Sequence, residues 1–245
     1  MPRTSEAQFP ALSTHIPDPE IRDLFTWPFL RVSEIFDELV DAASAEVLRR
    51  AGAWPVVPGT GPAALVAARG WAPRSLPLLE FVHGKLAAAG YLSKAEGEYS
   101  PTGSEPGDLE ALEAELAAAE PDAAVAGEAV RILVEETGLF LSGEKTGEEI
   151  LFRPDRLPLW FRYFSNRNLL YSINNRLGAL ALSRLLPESG GRVLEVGGGA
   201  GSAAEEALAR LGTRVSRYLF TEVVPTFLRR GERAARAAAA PGVAV

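Results

Sequence analysis

Cysteine is absent from the chain, which excludes a disulfide framework, thiolate nucleophiles and sulfur-ligated metal. Histidine is nearly absent: His15 and His83 stand alone, too isolated for a metal constellation with recognisable spacing. His83 lies in an otherwise apolar stretch and reads as a packed residue, not a base. Long apolar runs are missing as well. Arg, Glu or Pro breaks each one before the roughly 20 residues that a bilayer crossing needs, and Met1 to Glu6 lack the apolar region of a secretory signal. The expected compartment is therefore cytoplasmic, with no membrane partner. Basic residues are in deficit, 25 Lys and Arg against 32 Asp and Glu for a formal charge of -7, which argues against a nucleic-acid partner. What is present is 47% apolar content over 245 residues, enough to bury a core in one large domain or two smaller ones. Two units are expected.

Pro10, Pro17, Pro19 and Pro28 punctuate residues 1–28, which read as an extended surface arm. From Val32 to Leu48 apolar residues recur at helical spacing. Gly59, Gly61 and Pro62 mark a turn, Ala63 to Arg69 a short helix closed by Gly70, and Arg74 to Ala89 a third helix capped by Gly90. Tyr91 to Lys94 and Glu98 to Pro101 then read as a hairpin. This order, with the stretch Leu78 to Leu92, resembles the winged-helix module that precedes the catalytic domain in many small-molecule methyltransferases, where it mediates dimers or covers the substrate. Residues 29–104 are expected to form that unit. A winged helix can also read DNA, but its third helix should then be basic, and here Arg74 and Lys85 stand against Glu80. No DNA binding is expected.

Between Lys94 and Arg131 no basic residue occurs while ten acids do. Leu109, Leu112 and Leu116 still give the block an apolar stripe, so it reads as a solvated helix. Residues 105–186 are expected to be a helical linker or lid, with helix over Val130 to Leu141 and again over Leu157 to Leu186. Trp160, Phe164 and Tyr171 share one helical face, and Asn168, Tyr171 and Asn175 an adjacent one. Two readings stand: helix packing with the polar groups turned to solvent, or a roof over a ligand with amides aimed into it.

Arg192 to Val196 reads as a buried parallel strand, and Gly197-Gly198-Gly199-Ala200-Gly201-Ser202 follows at once. Ala203 to Leu211 is helix-forming, Gly212 can end it, and Arg217 to Thr221 reads as a second strand with Glu222 at its carboxyl end. Strand, glycine loop, helix, strand is a nucleotide-binding crevice. A dinucleotide fingerprint needs glycine at its first, third and sixth positions, but the sixth from Gly197 is Ser202. The pattern is instead Gly-x-Gly-x-Gly at Gly197, Gly199 and Gly201 with Glu195 two residues before.

This resembles motif I of the class I S-adenosylmethionine-dependent methyltransferases. The stretch Tyr218 to Leu228, with its aromatic-Thr-acid run, and Glu149 to Phe152 upstream are similar to the carbon-methylation domains of polyketide synthases. The resemblance implies a mostly α N-terminal region with the winged-helix-like unit, followed over residues 187–245 by the first part of an α/β Rossmann-like sheet. It implies S-adenosylmethionine as cofactor, held by Glu195, Gly197, Gly198, Gly199, Gly201 and Glu222, with Val223 against the adenine. It further implies C-methylation of an acyl thioester on a carrier protein, or of a small-molecule acceptor, beside neighbouring domains of a larger polypeptide in polyketide biosynthesis. The alternative is a non-catalytic adaptor of the same descent. No catalytic residue is assigned and no metal is expected. In that family further strands follow, so a sheet reaching only Gly242 to Val245 is expected to be truncated, and to bind the cofactor weakly if at all. Arg229, Arg233 and Arg236 line one face of the last helix, as a solvated face or a dock for an acidic carrier protein.

Overall fold

The computed structural model describes residues 3–245. The expected arm is not extended within them. Helices α1 (Phe9–Ser13) and α2 (Pro19–Arg22) lie there, and α3 (Trp27–Arg50) begins before Val32. Pro10, Pro19 and Pro28 sit instead in first helical turns, where their missing N–H would be unpaired anyway, while Pro17 lies just before α2. Asp18 caps α2 by accepting from the amides of Glu20 and Ile21, at 3.0 and 3.3 Å.

The remaining elements are mostly helical: α4 (Pro62–Arg69), α5 (Leu76–Ala88), the hairpin β1 (Leu92–Ala95) and β2 (Glu98–Pro101), then α6 (Leu109–Ala119), α7 (Ala124–Leu141), α8 (Gly147–Leu151), α9 (Leu157–Tyr163) and α10 (Leu169–Leu185). The pair β3 (Gly191–Val196) and β4 (Val215–Thr221) is joined by α11 (Ser202–Leu211), and α12 (Pro225–Ala238) follows. The single helix expected over Leu157 to Leu186 is interrupted between α9 and α10. Ser165 and Asn168 offer local alternatives to the helical ladder: the Ser165 hydroxyl accepts from the Arg167 amide at 3.1 Å, and the Ser165 carbonyl from the Asn168 amide at 3.0 Å.

The chain divides into two compact units. The sequence places boundaries near residues 28, 104 and 186; by compactness the chain divides at Leu159/Trp160, and residues 4–30 group with the second unit. The first unit, Arg31–Leu159 with Arg3, buries Leu48 of α3, Leu79, Val82 and Leu86 of α5, Leu92 and Tyr99 of the hairpin, and Val134 and Leu141 of α7 in one cluster. His83 lies in this unit at 0% exposure, its Nδ1–H donating to the Leu79 carbonyl at 2.8 Å. Buried this way, the imidazole is held below its ordinary pKa.

The second unit is built on β3 and β4, which pair in parallel from Arg192 opposite Arg217 to Val196 opposite Thr221. Ala244 adds a parallel bridge to β4: the Tyr218 amide donates to its carbonyl at 2.8 Å. One face of the sheet carries Val193, Glu195, Tyr218 and Phe220. There Tyr218 packs with Ala204, Leu208 and Leu211 of α11, Ala179 of α10 and Ala235 of α12. The opposite face is open, with Leu194 60%, Val196 80% and Leu219 47% exposed.

Candidate functional site

The parallel strands end together, so the loop after β3 and the turn after β4 meet at one edge of the sheet. Gly197, Gly199 and Gly201 all hold positive φ, at 71°, 57° and 89°, a region that side chains with a Cβ avoid. The loop is tied to β4 by the Gly198 amide, which donates to the Thr221 carbonyl at 2.9 Å, and closes on itself where the Gly201 amide reaches the Gly198 carbonyl at 3.0 Å.

The loop is crowded below and open above. A Cβ on Gly198 would collide with the Phe220 ring and lie 2.9 Å from the Glu195 carboxyl carbon, while one on Gly201 would lie 2.6 Å from Gly231 Cα. A Cβ on Gly197 or Gly199 would meet nothing within 4 Å. The backbone is therefore bare where a ligand can approach and pressed against α12 where it cannot. Gly231, in the middle of α12, and Phe220 beneath the loop complete this close fit, and the sequence reading included neither. A glycine inside an arginine-rich helix was the available signal.

Glu222 closes the site. Its Oε2 accepts from the Gly199 amide at 2.9 Å and its Oε1 from the Val224 amide at 2.8 Å. These amide bonds, Val224 foremost, hold the carboxyl below its usual range, so it is a carboxylate at neutral pH. Each oxygen keeps a further lone pair for a ligand hydroxyl. Val223 beside it is 92% exposed and touches no core.

Glu195 is not at the open surface of the loop. Its side chain lies on the helix-covered face, where Oε2 accepts from the Tyr218 hydroxyl at 2.9 Å. Burial pushes its pKa up, and the Tyr218 hydrogen bond offsets part of that rise. The structure thus brings Gly197, Gly198, Gly199, Gly201 and Glu222 together, sets Glu195 beneath them, and leaves Val223 free at the rim.

The upstream aromatic residues do cluster: Trp160 stacks on Phe164 at 5.6 Å between centroids, and Phe164 meets Tyr171 edge-on at 5.3 Å. The asparagines follow neither reading offered for them. Asn168 and Asn175 are buried, so they do not face solvent, and their amides are used within the scaffold. Asn168 donates to the Tyr163 carbonyl at 2.9 Å, and Asn175 to Asn166 Oδ1 at 2.8 Å. Asn166, absent from the sequence reading, in turn donates to the Ser202 carbonyl at 2.8 Å and to Glu205 at 3.0 Å, fixing the first turn of α11.

No family model matches the chain, and no curated protein matches it by sequence. Solved structures do match. The CurJ carbon methyltransferase superposes with a TM-score of 0.68 at 20% identity, over 96% of this chain and 64% of its own. The chain has the fold of a carbon methyltransferase. The DszA carbon methyltransferase is similar at TM-score 0.65 and 20% identity over 98% of this chain and 61% of its own. The citrinin polyketide synthase CMeT domain matches at 0.68 and 16% identity, over 99% and 67%. The chain thus spans less than two thirds of the length of the two carbon methyltransferases. Among the described residues no cluster of His, Cys, Asp or Glu could hold a metal ion, and no helix is long and apolar enough to cross a membrane.

Proposed function

We propose that the chain is part of an S-adenosylmethionine-dependent carbon methyltransferase, with β3, α11 and β4 as the opening of its Rossmann-like sheet and α3 to β2 as a winged-helix-like unit. The observation that carries this is the Glu222 carboxylate, drawn onto the Gly199 amide at the open side of a glycine loop whose Gly197 and Gly199 leave room above them. An anion fixed there repels a pyrophosphate and suits a cationic ligand with a ribose diol. The fit favours S-adenosylmethionine, which when bound supplies an electrophilic methyl group.

In this reading Gly197 and Gly199 give the methionine portion close access to the backbone, and Glu222 accepts from both ribose hydroxyls. Val223 offers an exposed apolar surface to the adenine, while Gly198 and Gly201 keep the loop seated on Phe220 and Gly231. Glu195, buried beneath, supports the loop through Tyr218. The acceptor is an acyl thioester on a carrier protein, whose α-carbon takes the methyl after losing a proton, in a cytoplasmic polyketide assembly. The likeness in fold to the citrinin polyketide synthase CMeT domain supports that choice of acceptor.

Calorimetric titration of the full chain with S-adenosylmethionine tests the reading. Glu222→Ala should weaken binding by about 1.5–3 kcal/mol, the range for hydrogen bonds to a charged group. An unchanged dissociation constant removes Glu222 from the site.

A further inference from the structure

A second concavity lies in the same unit, lined from α9, α11 and α12 and reaching Ala200 of the glycine loop. It encloses about 390 Å³. Its lining includes Phe161, Ser202, Glu205, Arg230 and Arg233. Arg230 and Arg233 stand three residues apart on α12, where like charges on one helix face repel. Neither forms an ion pair among the described residues, whereas Arg176, Arg184, Arg210 and Arg236 of this unit all have carboxylate partners. Arg230 is nonetheless held in place: its guanidinium lies 4.5 Å from the centroid of Phe161, which is braced edge-on by Phe227 at 5.3 Å. Stacking of this kind leaves the in-plane N–H donors free.

Ser202 points to the same chemistry independently. The residue is 6% exposed and lines the cavity. It is also the first residue of α11, whose N-cap Gly201 supplies no side-chain acceptor, so the positive end of that helix is uncapped from within. Glu205, the acid in the lining, is already engaged by the Asn166 amide at 3.0 Å.

We infer that this cavity is an oxyanion site that takes the phosphate of a phosphopantetheine arm. Two guanidinium forks, one hydroxyl and a helix start offer donors from several directions, which suits a tetrahedral dianion or diester better than the carboxylate of an amino acid, whose ammonium would face the arginines. The inference rests on the thioester reading for the identity of the arm, since acyl thioesters on carrier proteins are borne by phosphopantetheine.

The experiment titrates the full chain with 4′-phosphopantetheine, pantetheine and inorganic phosphate. Phosphopantetheine is expected to bind at least roughly tenfold tighter than pantetheine, as a charge-assisted contact requires. The double variant Arg230→Gln/Arg233→Gln should bring the two ligands to parity, and Arg236→Gln on the same helix should leave the preference intact. Both arginines are exposed, so folding is expected to survive, and a circular dichroism melt checks that it does. Equal binding of the two pantetheines, or a preference that survives the double variant, overturns the site. Inorganic phosphate binding as tightly as phosphopantetheine overturns the arm as its ligand. Competition by S-adenosylmethionine would assign the cavity to the cofactor carboxylate and overturn the phosphate. A failure of the methyltransferase reading appears separately, as S-adenosylmethionine binding that Glu222→Ala leaves unchanged, with the phosphate preference intact.

Discussion

Gly201 combines two demands that no other residue type satisfies. Its φ of 89° is unfavourable for any side chain with a Cβ, and the missing Cβ would lie 2.6 Å from the Gly231 Cα. Gly201→Ala should therefore destabilise the second unit by about 1–3 kcal/mol from backbone strain alone, with the helix contact adding to it. Urea unfolding measures this, and a loss below 0.5 kcal/mol, an ordinary surface effect, would contradict the close approach. His83 gives a pH-dependent case. Its folded pKa lies below the ordinary 6.5, and Nε2 is buried with no partner to receive a new proton's charge. The unfolded chain thus binds the proton first. Stability is full above 6.5 and falls as pH drops through that value toward the lowered folded one, with a slope approaching about 1.36 kcal/mol per pH unit. His83→Met, which cannot titrate, should flatten the decline between about pH 7 and 5 in the same assay.

At the scale of elements, legibility depended on whether the determining interaction was local. Gly70 closes α4 with φ 65°, and the alternation of β3 and β4 around a glycine loop was plain because each signal lies within a few residues of its effect. Residues 4–30 were misread because proline breaks a helix in its interior but starts one at its first turn, and the sequence alone does not say which. What fixes α2 is remote. Arg184 of α10 contacts Asp18 at 2.5 Å and Glu20 at 2.6 Å, and Arg210 of α11 reaches Glu20 at 2.8 Å. The hydrogen bond to Arg184 holds the Asp18 carboxyl down at about 2. The network is solvent-exposed, so it orients α2 more than it stabilises the fold. Arg184→Ala should accordingly speed amide hydrogen exchange at Glu20, Ile21 and Arg22 while leaving the overall unfolding midpoint nearly unchanged, and raised salt should mimic it. Protection unaltered by either change would show that α2 is held by something else.

For the molecule as a whole, the loop and its acid were readable because chemistry constrains them tightly. The asparagines were not, because their partners lie across a break that local hydrogen bonding placed between α9 and α10. Phe220 and Gly231 escaped notice because their role exists only once α12 is laid across the loop. The sheet carries one more consequence. Parallel sheets are ordinarily covered on both faces, yet here Leu194, Val196 and Leu219 present 60%, 80% and 47% of their surface to solvent on one side. Their strand neighbours Val193 and Tyr218 point to the covered side, so the two faces can be altered independently. An apolar patch of this kind drives association. The chain is expected to bind an apolar reporter dye and to show a sedimentation coefficient that rises with concentration. Replacing Leu194, Val196 and Leu219 together by Thr keeps strand propensity while removing apolar surface, and should suppress both effects without changing the circular dichroism spectrum. Association that persists undiminished in the triple variant would place the adhesive surface elsewhere, and a concentration-independent sedimentation coefficient in the unaltered chain would show that the open face is not adhesive at all.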